Sequence, residues 1–370
     1  MSTTTDVVYN SALLADAAYV TFHVPEFLNG AEIGDAAWAA GANGGVSFES
    51  RGFTRSQFEE FQSTYRVLYH QPDTATGFSA TLFENVRTGE LHLAFRGTND
   101  AMDLLQDASL AVSLGMQFGE WLQNGAVEEF LRGAGLIDAS GAVLPQYVGR
   151  IQLSGHSLGG HLALWTASQH PEMVARVDTF NGAGLGYQHP VVVLLETLWN
   201  ETIAPGAHAL AGSPIHNFYA EPGPEVTASG LFAYRPGEHV PLFIESAPGE
   251  VLGTHDMGRL VDALAAYRLF AAIDPALDWA RMSVILEAAS PDSQGSIAAA
   301  VRALGASIGS AYAGIGDPLE LHALIAPALE AGTFAGARIV PAAGTALAAA
   351  VMEESDTGSA WRFAALHLFP

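Results

Sequence analysis

Arg150-Ile151-Gln152-Leu153-Ser154-Gly155-His156-Ser157-Leu158-Gly159-Gly160, running on through His170 and closed by Pro171, is the stretch that decides the fold. Arg150 to Leu153 has the composition of a short strand. Leu158 to His170 reads as a helix, and Pro171 stops it by removing a backbone donor. Between them sits Gly155-His156-Ser157-Leu158-Gly159, a Gly-x-Ser-x-Gly pentapeptide at a strand-to-helix turn. So tight a turn strains the serine backbone, and side chains at 155 and 159 would collide with neighbouring backbone. The start of the helix aims backbone N–H groups at the reacting centre, where they favour developing negative charge. Ser157 is the expected nucleophile.

Upstream, Ser56 to Phe61 reads as a short helix, and an amphipathic helix capped at Asn10-Ser11 is expected through Ala18. The Gly- and Asn-rich stretch 29–45 reads as a loop. Tyr65 to Tyr69, Phe78 to Phe83 and Leu91 to Phe95 have strand character, with a turn over Asn85 to Glu90. Helical stretches follow over 101–112 and 119–132. Downstream, Val174 to Phe180, Ile215 to Tyr219 and Val240 to Ile244 read as strands. His255 to Phe270 is an apolar-periodic helix. Strands alternating with helices predict a mainly parallel sheet covered on both faces. Beyond residue 270 the chain turns Ala-rich and strand-poor, so residues 1–270 are expected to form a catalytic domain and 271–370 a helical extension packed on it.

Composition narrows the chemistry. The 370 residues carry 39 acidic and 15 basic side chains, a formal charge of −24, which argues against nucleic-acid binding by repelling phosphate backbones. With no cysteine, thiol catalysis, disulfides and thiolate metal sites are excluded. All basic residues are arginine, which excludes a Schiff-base lysine and a P-loop lysine. Met1 to Asp6 lacks the basic start and apolar run of a secretory signal. No apolar run reaches the length of a membrane span, and no transmembrane segment is expected.

A second motif, Phe95-Arg96-Gly97-Thr98, ends the strand 91–95. With Gly155-His156-Ser157-Leu158-Gly159-Gly160 downstream, it resembles the class 3 (fungal-type) lipases of the α/β-hydrolase fold. The resemblance implies that Thr98 donates to the oxyanion through its backbone N–H and its hydroxyl. It implies that Leu158 supplies the second N–H, and that Asp107 orients the Thr98 hydroxyl. It further implies an ester-cleaving serine enzyme whose chemistry needs no cofactor, while leaving room for a structural calcium ion.

That fold orders its triad as nucleophile, acid, then histidine, so the base should follow Ser157. His156 and His161 belong to the elbow and its helix. Of the thirteen histidines, His255 stands in Gly253-Thr254-His255-Asp256-Met257 directly before a helix, where the family places its base. The acid should follow the strand that begins at Ile215. Two residues qualify, Glu225 by its Gly-x-Glu-Val spacing and Glu221 by its place at the strand end. The chain departs from its relatives here, carrying Glu where Asp is usual.

A narrower likeness, in Phe78 to Phe83, Asn217-Phe218-Tyr219 and Leu264 to Phe270, is to the catalytic domains of bacterial RTX-type lipases. It implies an extracellular protein exported without an N-terminal signal; without that likeness a cytoplasmic place is the expectation. The terminal Trp361 to Pro370 resembles a linker to further domains. The implied partner is a lipid or other ester. Leu110 to Phe118 and Pro190 to Trp199 are candidates for a lid, equally readable as core helices. Phospholipase A1 and polyester hydrolase activity would use the same residues. A non-enzymatic adhesion or toxin module on this scaffold is disfavoured by the complete motif set.

Overall fold

The protein is seen as a computed structural model that describes residues 4–22, 31–74, 77–97, 116–185, 214–221, 235–244, 255–273, 278–280, 311, 314, 315 and 324. Helix α1 spans Thr4–Ala17, and a two-residue strand, β1, covers Ala31–Glu32. Short helices α2 (Ala36–Ala39) and α3 (Phe48–Arg51) lead to α4 (Arg55–Thr64). Three strands follow, β2 (Tyr65–Gln71), β3 (Ala80–Asn85) and β4 (Leu91–Phe95). Helix α5 (Met116–Gly133), β5 (Ile151–His156), α6 (Leu158–Gln169) and β6 (Val174–Phe180) form the middle of the chain. β7 (Ile215–Glu221), β8 (Glu238–Phe243) and α7 (Met257–Ile273) complete the described elements.

The eight strands lie in one sheet in chain order, β1 to β8. β1 to β4 pair antiparallel, whereas β4, β5, β6 and β7 pair parallel. The change at β4 follows from loop length. β3 and β4 are joined by the turn at Asn85, whose N–H donates to the Glu90 carbonyl at 2.9 Å, and so short a link permits only a hairpin. β4 to β5 and β5 to β6 instead cross over through α5 and α6. Successive right-handed crossovers in one direction put both helices on the same face. That face buries Leu93, Phe95, Leu153 and Val177 against Val127, Phe130, Leu162 and Ala163. This is an α/β-hydrolase-like architecture, a central mostly parallel sheet flanked by helices and followed by a C-terminal helix.

The opposite face carries the alternate residues of the same strands. Phe22 and Phe61 pack edge-on against Phe83, with ring centroids 5.6 Å apart in each pair. Helix α4 is started by a capping box, in which Thr54 accepts from the Gln57 N–H and Gln57 Oε1 accepts from the Thr54 N–H.

The expected cap at Asn10-Ser11 is corrected. α1 begins at Thr4, and Ser11 lies inside it, 1% exposed. Val8, Tyr9, Ala12, Leu13, Leu14 and Ala15 are all buried as well, so no polar face marks where this helix starts. The expected loop over 29–45 contains β1, α2 and a single 3-10 turn.

Contacts divide the chain into two compact units. One comprises Ser11–Tyr219 and Pro224–Val240. The other comprises Met1–Asn10, Ala220–Gly223 and Pro241–Pro370. Within the second, α7 buries Leu260, Val261, Leu264 and Tyr267. The Tyr267 hydroxyl accepts from the Phe243 N–H at 3.0 Å, and Arg268 pairs with Asp6 at 2.9 Å. Apart from the few residues named above, the extension expected over 271–370 lies outside the described residues.

Candidate active site

β5 passes into α6 through a single residue, Ser157, whose backbone takes φ 55° and ψ −123°. A non-glycine residue held there costs about 1–3 kcal/mol, so its surroundings must enforce it. They do so from three directions. The Ser157 N–H donates to the Phe180 carbonyl at the end of β6, at 3.1 Å. Its carbonyl accepts from the Gly160 and Ala183 N–H groups, each at 3.0 Å.

The flanking glycines answer the same constraint. A Cβ at Gly155 would sit 2.1 Å from the Gly159 carbonyl oxygen, and one at Gly159 would sit 2.2 Å from the Phe95 carbonyl oxygen. Both obstacles are backbone, which cannot rotate aside as a side chain can. The expected reason for glycine at 155 and 159 is thus visible as two interatomic distances.

Ser157 is 2% exposed, and its Oγ has no hydrogen-bond partner among the described residues. A buried hydroxyl left unpaired costs about 1–3 kcal/mol, an arrangement more readily explained at a reacting centre than in a structural core. Neither neighbouring histidine serves it. His156 Nδ1 lies 3.0 Å from the Tyr19 hydroxyl, and His161 Nδ1 donates to the Gly184 carbonyl at 2.9 Å.

Leu158 opens α6 directly after Ser157, as the elbow requires. His255 is described and buried, 6% exposed, two residues ahead of α7. Burial lowers its pKa, opposed by the charge of Asp256, so the imidazole is biased toward the neutral form that accepts a proton. Asp256 itself caps α7, accepting from the Arg259 N–H at 3.0 Å. Glu221 sits exposed at the end of β7, where its carbonyl accepts from the Ile244 N–H at 3.3 Å. Thr98, Asp107 and Glu225 lie outside the described residues, as do Pro190 to Trp199 and the part of Leu110 to Phe118 that precedes α5.

A serine–histidine contact does occur within the sheet, away from the elbow serine, and it is structural. His92 Nε2 and Ser154 Oγ are 2.7 Å apart, and both residues are buried within the sheet. Burial pushes the His92 pKa down to about 4, against the pull of Asp178. Asp178, at the centre of β6, is fully buried. Burial would raise its carboxyl pKa, but hydrogen bonds from His216 at 3.0 Å and Arg176 at 2.7 Å prevail and hold it down. Sequence reading passed over this polar row because each member falls in a strand at core spacing. It also passed over Asn181, which adopts φ 44° after β6 and donates to the Phe218 carbonyl at 2.8 Å. The Asn181-Gly182 pair was the available signal for that turn. Among the described residues, no cluster of three or more His, Asp or Glu suits a metal ion. No helix among them is long and apolar enough to cross a membrane.

The family model described as a putative esterase matches residues 126–207, a span holding β5, the elbow, α6 and β6. Solved structures with similarity to the chain include three lipases. The lipase of Rhizopus microsporus var. chinensis is 14% identical, with 68% of this chain and 78% of that one covered, at a TM-score of 0.37. Lip2 of Yarrowia lipolytica is 15% identical, covering 65% and 78%, at 0.33. The Rhizomucor miehei lipase propeptide complex is 12% identical, covering 65% and 70%, at 0.37. No curated protein sequence matches the chain. The fold, the elbow at Ser157 and the esterase match are together consistent with a serine hydrolase.

Proposed function

We propose that this protein cleaves carboxylic esters of lipids in two acyl-transfer steps through Ser157. The observation that carries the proposal is the elbow, a buried hydroxyl on a residue held at φ 55° with its oxygen unpaired among the described residues. In this reading His255 takes the Ser157 proton as the hydroxyl attacks the ester carbonyl. The oxyanion is held by the N–H groups of Leu158 and Thr98, each worth about 3 kcal/mol, with Asp107 steadying the Thr98 hydroxyl. His255 then protonates the departing alcohol, and water attacks the acyl-enzyme with His255 again as base. Support for His255 comes from its burial, its lowered pKa and its place in chain order after the nucleophile.

Glu225 is the acid we assign, with Glu221 the second candidate. An exposed carboxylate at 221 is poorly suited to holding an imidazole in a site that excludes water. The lipid substrate and an extracellular place rest on the resemblance of the two motifs and on the acidic, cysteine-free composition. Neither the phospholipase nor the polyester reading is favoured by a particular observation.

A serine-directed phosphonate probe tests the chemistry, and a substrate series tests the class. Wild type is expected to label at Ser157 and to hydrolyse emulsified triacylglycerol along with soluble short esters. Ser157→Ala should lose both labelling and turnover. Label found elsewhere, or ester cleavage surviving in Ser157→Ala, would exclude this mechanism. Cleavage of short esters with no turnover of any lipid would leave the nucleophile and exclude the substrate.

A further inference from the structure

Tyr19 follows α1 in a turn, far from the elbow in sequence, and it is 7% exposed. Its hydroxyl meets two backbone segments that the proposed reaction needs in register. On one side it accepts from the Gly97 N–H, two residues beyond the end of β4. On the other it lies 3.0 Å from His156 Nδ1, one residue ahead of Ser157. Since the oxygen accepts from Gly97, its proton is free to go to His156, which then carries its own proton on Nε2. These contacts are close. A Cβ at Gly97 would stand 2.6 Å from the Tyr19 hydroxyl, 2.6 Å from the His156 carbonyl oxygen and 3.2 Å from Ser157 Cβ.

The phenol is itself fixed in place. Arg51 lies over its ring at 4.2 Å from the centroid and pairs with the buried Asp16 at 2.6 Å. Burial, offset in part by Arg51, pushes the Tyr19 pKa up to about 12, so the hydroxyl keeps its proton across the working range.

We propose that Tyr19 is a positioning residue for the reaction at Ser157. Its hydroxyl ties the strand end that leads into Thr98 to the elbow that carries the nucleophile, and so sets the spacing between attacking oxygen and oxyanion donor. The inference rests on the serine-hydrolase reading above. Tyr19 touches neither substrate nor reacting atoms in this role. Its effect is transmitted through Gly97 and His156.

The test is Tyr19→Phe, which keeps the ring and its Arg51 contact and removes only the bridge. With a soluble short ester, kcat is expected to fall about ten- to a hundredfold, with KM within about twofold and the acid limb of the pH profile unmoved. Affinity for a boronic acid that mimics the tetrahedral intermediate should fall in parallel with kcat/KM. His156→Leu should reproduce the loss, and His156→Asn, which restores an acceptor near the Nδ1 position, should recover much of it. The double variant Tyr19→Phe/His156→Leu should be no worse than the poorer single variant. A Tyr19→Phe protein that loses thermal stability while keeping kcat and boronate affinity overturns the proposal. Should Tyr19→Phe fail to fold, equal activity of His156→Leu and His156→Asn overturns it as well. Phosphonate labelling of wild type separates the two levels. A wild type that does not label defeats the hydrolase reading, whereas a labelled wild type with unaffected variants defeats only the role of Tyr19.

Discussion

Replacing Gly159 by alanine strikes the joint on which the proposed chemistry depends. The added Cβ would lie 2.2 Å from the Phe95 carbonyl oxygen, 2.9 Å from its carbonyl carbon and 3.0 Å from that of Arg96. All three atoms are main chain of β4 and the residue after it, so relief requires the start of α6 and the end of β4 to separate by roughly 1 Å. Two losses should follow. Forced overpacking costs about 1–3 kcal/mol, and the upper part of that range is expected because no side chain can yield. The separation also moves Ser157 away from the strand end leading to Thr98, and a misplacement of 1 Å costs about a hundredfold in rate. Urea unfolding reads the first loss, and kcat/KM on a soluble ester reads the second. Gly125→Ala is the control. It lies in α5 with nothing within 4 Å of the added methyl, and it should be neutral or stabilising by up to about 1 kcal/mol. A Gly159→Ala protein with wild-type stability and turnover would refute the claim that close backbone approach fixes this elbow.

Other expectations concern charge. His70 and His92 have pKa values pushed down to about 4, chiefly by burial. Below about 6.5 the unfolded chain takes up protons that the folded chain refuses, so stability is full above that pH and drains as it falls toward 4. The loss is roughly 3 kcal/mol per histidine, and His92→Gln should flatten the pH dependence of the urea midpoint; an unchanged slope would contradict it. Asp178→Asn leaves Arg176 and His216 without their carboxylate and should cost about 3–5 kcal/mol in urea unfolding, a cost below 1 kcal/mol being the refuting result. The acid limb of kcat/KM should have its midpoint below the ordinary histidine value of about 6.5, because burial lowers the pKa of His255; a midpoint above it would count against His255 as the base.

Much of the sheet was legible. Leu91 to Phe95 and Val174 to Phe180 fall where the residues placed them, and Tyr65 to Tyr69 lies within β2. Such strands are strong local patterns bounded by turn residues. The start of α1 was not legible, because a helix buried on nearly every side offers no alternation to read. The antiparallel pairing of β1 with β2 and of β2 with β3 carried no such local signal, since pairing direction there depends on how the chain returns rather than on strand composition.

At the site the division is sharper. The sequence by itself determined the elbow, because strand, strained serine, two glycines and helix are consecutive and their steric demands are local. It likewise supplied the Phe-Arg-Gly-Thr strand end. Only the tertiary structure brought Gly97 against Ser157, joined the Tyr19 hydroxyl to His156 and buried Asp178 between Arg176 and His216. The first two contacts and the pairing of His216 with Asp178 join separate elements, across sequence separations of 60, 137 and 38 residues. They exist because a sheet and its covering helices fold distant segments into one packed interior, where a polar group must find a partner wherever the chain supplies one.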